Sequence, residues 1–269
     1  MASSNDARTG RTHGLSRRDF IWSGLSALAV PVLAGCQFEP FGDPTSEVAD
    51  PRLTARPGEP SLAPTIGLSS LGAWKYQGGV MYVPESYSPD TPAPLFVGLH
   101  GAGGRATDWN SYHARAESRG MVFVALNSRD ETWDLTTRGN FGPDVESLDV
   151  VLRGTFERCR IDPTRIALGG FSDGASYALS LGVANGDLFS HLVAYSPGFW
   201  AVAERVGSPS VYISHGTQDS VLPIGTTRSR IVPSMIEAGY DVTFEEFEGD
   251  HEVPAAISEA ALDWFLAVS

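Results

Sequence analysis

The sequence predicts an α/β domain with a mostly parallel central sheet flanked by helices. Short apolar runs recur from about residue 66 onward, at 79–83, 95–99, 121–126, 166–170, 192–195, 211–214 and 242–247. Most are β-branched or Leu-rich and lack alternation, which is how strands buried on both faces of a parallel sheet read. Helical stretches lie between them, and strands alternating with helices imply βαβ crossovers. At 269 residues the chain is long enough for one such domain with a substantial core.

The individual elements carry their own signals. The run 242–247 (Val-Thr-Phe-Glu-Glu-Phe) is more polar than the others and reads as an edge strand. A helix is predicted over 144–158, after Pro143, with Val145, Leu148, Val151, Leu152 and Phe156 on one face. A second covers 173–184. A third covers 228–238, where Pro233 predicts a kink or a start close by. The last covers 254–268, with Ile257, Ala261, Leu262, Phe265 and Leu266 facing inward. No internal repeat is present.

Composition narrows the partners. The chain is 42% hydrophobic and 19% charged, ordinary for a soluble globular protein. Its formal net charge of −13 repels a phosphate backbone, so nucleic acid is excluded as an expected partner. The two cysteines are Cys36 and Cys159. Cys159 follows a helical stretch and reads as a small buried residue.

The first 36 residues read as an address. Ser16-Arg17-Arg18-Asp19-Phe20-Ile21 is followed by an uncharged stretch ending Leu33-Ala34-Gly35-Cys36. A basic segment and a short apolar segment are the parts of an export signal. The paired arginines are similar to a twin-arginine signal, and the Leu-Ala-Gly-Cys ending resembles a lipoprotein signal with lipidation at Cys36. Lipid there would hold the domain at a membrane surface, in the cell envelope, without spanning it. A simple cleaved signal and a secreted soluble protein form the alternative. Residues 37–65 carry Pro40, Pro44, Pro51, Pro57, Pro60 and Pro64 and little apolar content, and read as a Pro-rich tether. The catalytic domain is expected over 66–269.

Three stretches carry chemistry in the order Ser…Asp…His. Gly170-Phe171-Ser172-Asp173-Gly174 follows a predicted strand and precedes a predicted helix. A sharp strand-to-helix turn of that kind exposes a serine as a nucleophile. A hydroxyl is a weak nucleophile at neutral pH and needs a base. Of the six histidines, His13 falls in the signal, and His113 and His191 have no motif around them. His100 and His215 each end a strand before a glycine and read as shaping turns. His251 lies between the last strand and the last helix and is the predicted base. The base needs an acid, and Asp219 in His215-Gly216-Thr217-Gln218-Asp219 follows a strand. Asp250 adjoins His251 in sequence and is poorly placed to reach round to Nδ1. For the oxyanion, the backbone N–H of Asp173 is one expected donor. The second is expected from the glycine loop His100-Gly101-Ala102-Gly103-Gly104, at Ala102 or Gly103, with Ala102 taken as the candidate. No Rossmann fingerprint, P-loop or metal-spaced Cys/His set is present, so no cofactor and no metal are expected.

Together these stretches resemble the bacterial phospholipase/carboxylesterase family of α/β hydrolases, relatives of acyl-protein thioesterases and polyester depolymerase-like esterases. The resemblance runs from about Gly79 to Leu266. It rests on Leu99 to Gly104, Gly169 to Ser176, His215 to Pro223 and His251-Glu252-Val253-Pro254. It implies the α/β-hydrolase fold, a Ser172–Asp219–His251 triad and hydrolysis of carboxylic esters by a serine esterase. Thioesterase or peptidase chemistry on the same triad, and a non-catalytic binding lipoprotein on a hydrolase scaffold, are the alternatives.

Two loops are expected to line the substrate pocket. One is 127–144, with Trp133 and Phe141, and the other is 196–206, with Phe199 and Trp200. Trp133, Phe199 and Trp200 fit binding of an acyl or aryl group, and they fit packing equally well. No insertion is long enough for a large lid, so the site is expected to be open and suited to small or medium esters. The sequence leaves the oligomeric state open.

Overall fold

Eight strands form one sheet in the order β1-β2-β4-β3-β5-β6-β7-β8. The computed structural model describes residues 48–71, 78–201 and 204–267. In chain order the strands are β1 (Gly67–Leu71), β2 (Gly79–Val83), β3 (Ala93–Leu99), β4 (Val122–Leu126), β5 (Ile161–Phe171), β6 (His191–Tyr195), β7 (Ser210–Gly216) and β8 (Val242–Phe247). The helices are α1 (Ser111–Arg119), α2 (Asp134–Arg138), α3 (Pro143–Phe156), α4 (Asp173–Ala184), α5 (Val232–Glu237) and α6 (Ala255–Leu266). A π-helical turn, Thr227–Ile231, leads into α5 and accommodates Pro233 in its first turn. The strands from β4 through β8 pair in parallel, and β1 and β2 are antiparallel at one edge. The polar strand β8 forms the other edge, as its sequence predicts. Neither β1 nor α1 is predicted from the sequence. β1 alternates exposed and half-buried positions, and α1 follows a loop without a strong apolar stripe.

Period-2 alternation inside the apolar runs sorts the core into two layers. Leu95, Val97 and Leu99 of β3, Val122 and Val124 of β4, and Val211 and Ile213 of β7 join the α3 and α4 side chains in an aliphatic layer. Their neighbours Phe96, Phe123, Val193 and Tyr212 face the opposite way and pack with Tyr112 of α1 and Phe265 of α6. Both faces are therefore covered, which explains why the strands read as continuous apolar runs. Cys159 is fully buried, and burial pushes its thiol up to about 12, so it is inert packing.

The expected tether is only partly one. Residues 1–36, with Cys36, and 37–47 lie outside the described residues. Residues 48–65 run along the domain rather than away from it. Leu53 and Ala55 are buried. Asn185 accepts from Leu53 N at 2.8 Å and donates to Pro51 O at 2.8 Å. Asp149 accepts from Thr54 N, Thr54 Oγ1 and Ala55 N at 2.6–2.7 Å. Arg52 and Arg56 both pair with Asp187 at 2.8 Å. A proline-rich segment cannot satisfy its own backbone, but here the folded domain supplies the acceptors. Composition reports what a segment can bury by itself and is blind to such docking.

Asp149→Ala removes three hydrogen bonds that hold this strap. Loss of about 1–3 kcal/mol is expected in urea unfolding, with faster tryptic cleavage after Arg52. Unchanged stability and cleavage would show that the strap is held without them.

Candidate active site

The parallel pairing of β3, β5, β6 and β7 brings the ends of four strands to one edge of the sheet, where loops carry the chemistry. The turn between β5 and α4 is sharp. Ser172 sits there at φ 57° and ψ −119°, a strained conformation for a residue with a side chain. The flanking glycines are required by space. A Cβ on Gly170 would lie 2.2 Å from the Gly174 backbone, and one on Gly174 would lie 2.3 Å from Leu99 O. The helix therefore starts pressed against the end of β3.

His251 Nε2 lies 2.9 Å from Ser172 Oγ, and His251 Nδ1 lies 2.7 Å from Asp219 Oδ2. Asp219 carries no proton to give, so Nδ1–H donates to it and Nε2 is left to accept from the serine. Burial alone would push the Asp219 carboxyl up. Hydrogen bonds from His251 and from the Leu222 and Val221 amides outweigh that and hold it below the usual carboxylate range. The three residues named from sequence are thus brought together. Asp250, the rival acid, has another task. It accepts from Ser220 N at 2.7 Å and from His251 N at 2.8 Å, tying the base loop to the acid turn.

The glycine loop lies beside the nucleophile, since a Cβ on Gly101 would lie 3.3 Å from Ser172 Cβ. Ser128 N–H donates to His100 Nε2 at 3.0 Å, so His100 Nδ1–H donates to Gly101 O at 2.7 Å. Burial lowers the His100 pKa and keeps that tautomer neutral. With the carbonyl of the Gly101–Ala102 peptide held, the N–H of Ala102 points the opposite way, because a trans peptide sets the two antiparallel. Asp173 opens α4, where the first amides lack partners within the helix.

The structure corrects one substrate expectation. Trp133 is only 1% exposed, and its Nε1–H donates to His100 O at 2.8 Å. It is a brace under the glycine loop and contacts no substrate space. Phe199 and Trp200 are half-buried and pack against the aliphatic core, and Trp200 Nε1–H donates to Ser234 Oγ. A cavity of about 340 Å³ instead adjoins Gly101 and Phe171, walled by Trp109, Tyr112, Val253 and Ser258. The sequence offers no sign of it, because its walls come from five separate segments.

The loop after β4 also holds a buried acid pair. Asp134 Oδ2 accepts from Asp144 N, and Asp144 Oδ2 accepts from Asp134 N, each at 2.8 Å. Burial and the neighbouring Asp144 push Asp134 up to about 7. This loop holds the site from outside, through Trp133 and through Thr132 Oγ1, which donates to Asp173 Oδ2 at 2.8 Å. An unfolded aspartate titrates near ~3.9, so between about pH 4 and pH 7 the folded state binds the extra proton and stability falls as pH rises. Asp134→Asn is expected to flatten that fall in urea unfolding between those two pH values. An unchanged slope would assign the pH dependence to other groups.

Residues 141–266 match the sequence profile of the phospholipase/carboxylesterase family. Feruloyl esterase C of Emericella nidulans is 27% identical over 176 residues, which cover 62% of this chain and 62% of that protein's length. Among solved structures, esterase PE8 superposes with a TM-score of 0.57 at 21% identity, covering 74% of this chain and 98% of its own. The Bacillus cereus carboxylesterase gives 0.56 at 19% identity, covering 70% and 92%. The chain has the α/β-hydrolase fold, and over residues 141–266 it matches the phospholipase/carboxylesterase family.

Proposed function

We propose that the protein is an exported serine hydrolase that cleaves carboxylic esters through an acyl-enzyme on Ser172. The unbroken line Asp219–His251–Ser172, with its two contacts of 2.7 and 2.9 Å, carries the reading. Ser172 Oγ attacks the ester carbonyl while His251 Nε2 takes its proton. His251 then returns that proton to the leaving alcohol, and Asp219 stabilises the imidazolium formed in between. The N–H groups of Ala102 and Asp173 receive the oxyanion. Water, activated by the same histidine, releases the acid and restores the serine.

The cavity beside Gly101 supports a compact apolar acyl group. Its walls include the rings of Trp109, Tyr112, Phe171 and Tyr195, and its volume of about 340 Å³ suits a small or medium ester. The likeness to a feruloyl esterase favours an aryl acid among such groups. The same proposal includes the twin-arginine signal at the N-terminus, with lipid on Cys36 holding the enzyme at a membrane surface.

Ser172→Ala should abolish hydrolysis of a p-nitrophenyl ester series from acetate to palmitate, measured on protein lacking residues 1–36, and leave the thermal midpoint within a few degrees. Retained turnover in that variant contradicts the mechanism. Val253→Trp should obstruct the cavity. It is expected to cut kcat/KM for butyrate about 10-fold or more while sparing acetate, a contrast of about 1.4 kcal/mol. Equal losses on both substrates would place the acyl group elsewhere.

A further inference from the structure

Asp219 has a second imidazole behind it. His215 is the penultimate residue of β7, four residues before the acid, and is wholly buried. Its Nε2 lies 2.7 Å from Leu222 O and 3.0 Å from Asp219 Oδ2. Both atoms are acceptors, so Nε2 carries the proton and faces the two of them. Its Nδ1 lies 2.9 Å from Thr227 Oγ1 in the π-helical turn, and as the unprotonated nitrogen it accepts from that hydroxyl. The ring is thus fixed in one tautomer at both ends. Burial lowers its pKa and keeps it neutral.

The acid turn is closed around this ring. Asp219 Oδ1 accepts from Val221 N at 3.0 Å and Leu222 N at 2.7 Å, while Leu222 O receives His215. Asp219 Oδ2 meets His251 Nδ1 on one side and His215 Nε2 on the other. Three N–H groups, those of Val221, Leu222 and His251, therefore bond the carboxylate, and the His215 ring, whose Nε2–H donates to Leu222 O, stands against Oδ2 at 3.0 Å. A carboxylate free to rotate would lose Nδ1 of His251, and an error of about 1 Å in such an arrangement costs about 100-fold in rate.

We propose that His215 is a positioning residue for the triad: the neutral imidazole, held by Thr227, locks the Asp219 carboxylate and the 219–222 turn in the orientation that His251 requires. This rests on the esterase reading of the same site. It gives His215 a task that a turn-shaping residue does not have, since it acts on the reacting groups through hydrogen bonds rather than through backbone shape. A charged His215 would oppose the imidazolium that forms on His251, so its burial is part of the same device.

The test compares wild type, His215→Leu, His215→Gln and Thr227→Val on p-nitrophenyl acetate, each checked for native thermal unfolding. His215→Leu is expected to lower kcat about 100-fold with KM within about three-fold. Glutamine can donate to Leu222 O and Asp219 and accept from Thr227, so His215→Gln should keep kcat within about five-fold of wild type. Thr227→Val leaves the ring in place but strips its Nδ1 partner. It should lower kcat about 10-fold at unchanged KM, and it keeps the idea testable if the leucine variant does not fold. The proposal is overturned if folded His215→Leu or Thr227→Val retains kcat within about two-fold, or if His215→Gln loses as much as His215→Leu. Wild type that neither turns over ester nor reacts with a fluorophosphonate at Ser172 overturns the esterase reading itself, a result distinct from equal activity in the variants.

Discussion

The parallel register of β3 against β5 is the constraint on which the site depends. Leu99 pairs with Gly170, so the two strands end side by side. The nucleophile turn and the glycine loop are then neighbours by construction. That proximity leaves no room for side chains where α4 starts, and Gly170 and Gly174 follow from it. The next two parallel pairings, β5 with β6 and β6 with β7, carry the same edge across to the acid turn. A residue slip in any of these pairings would turn apolar side chains to the wrong face and move the loops as well. The core that stabilises the domain and the geometry that aligns the triad are therefore set by one register.

Three imidazoles serve one site, and hydrogen bonding assigns each a different tautomer or task. His251 presents a bare Nε2 to Ser172 because Asp219 takes its Nδ1–H. His100 presents Nδ1–H to Gly101 O because Ser128 N–H occupies its Nε2. His215 presents Nε2–H to the acid turn because Thr227 faces its Nδ1. The partners that decide the last two of these states, Ser128 and Thr227, lie in the loop after β4 and in the π-helical turn, far from Ser172 in sequence. Those segments bring no reacting atom to the site, yet they set where its protons sit.

Much of this was legible in the sequence. Apolar runs located seven of the eight strands, and Gly-Phe-Ser-Asp-Gly placed the nucleophile at a strand-to-helix junction. The triad order and the loop positions of Asp219 and His251 could be read because each sits at a strand end, where chain order maps onto space. The supporting contacts could not be read. Trp133 looked like a substrate residue because an aromatic in a loop carries no sign of which way it faces. His100 and His215 share a strand-end His-Gly, a repeat that hinted at a common role, but their partners arrive from other segments. Residues 48–65 looked free because proline content suppresses regular structure, while docking depends on Asp149, Asn185 and Asp187 elsewhere in the chain.

The most direct test of the account is to trap the covalent intermediate. The protein would be mixed with p-nitrophenyl acetate, quenched in acid within the first turnovers, digested and mapped by mass spectrometry. The account predicts an acetyl group on the peptide containing Ser172, formed in step with p-nitrophenol release and absent in His251→Ala. Ester turnover with no adduct on that peptide, or with the acetyl group on another residue, would contradict it.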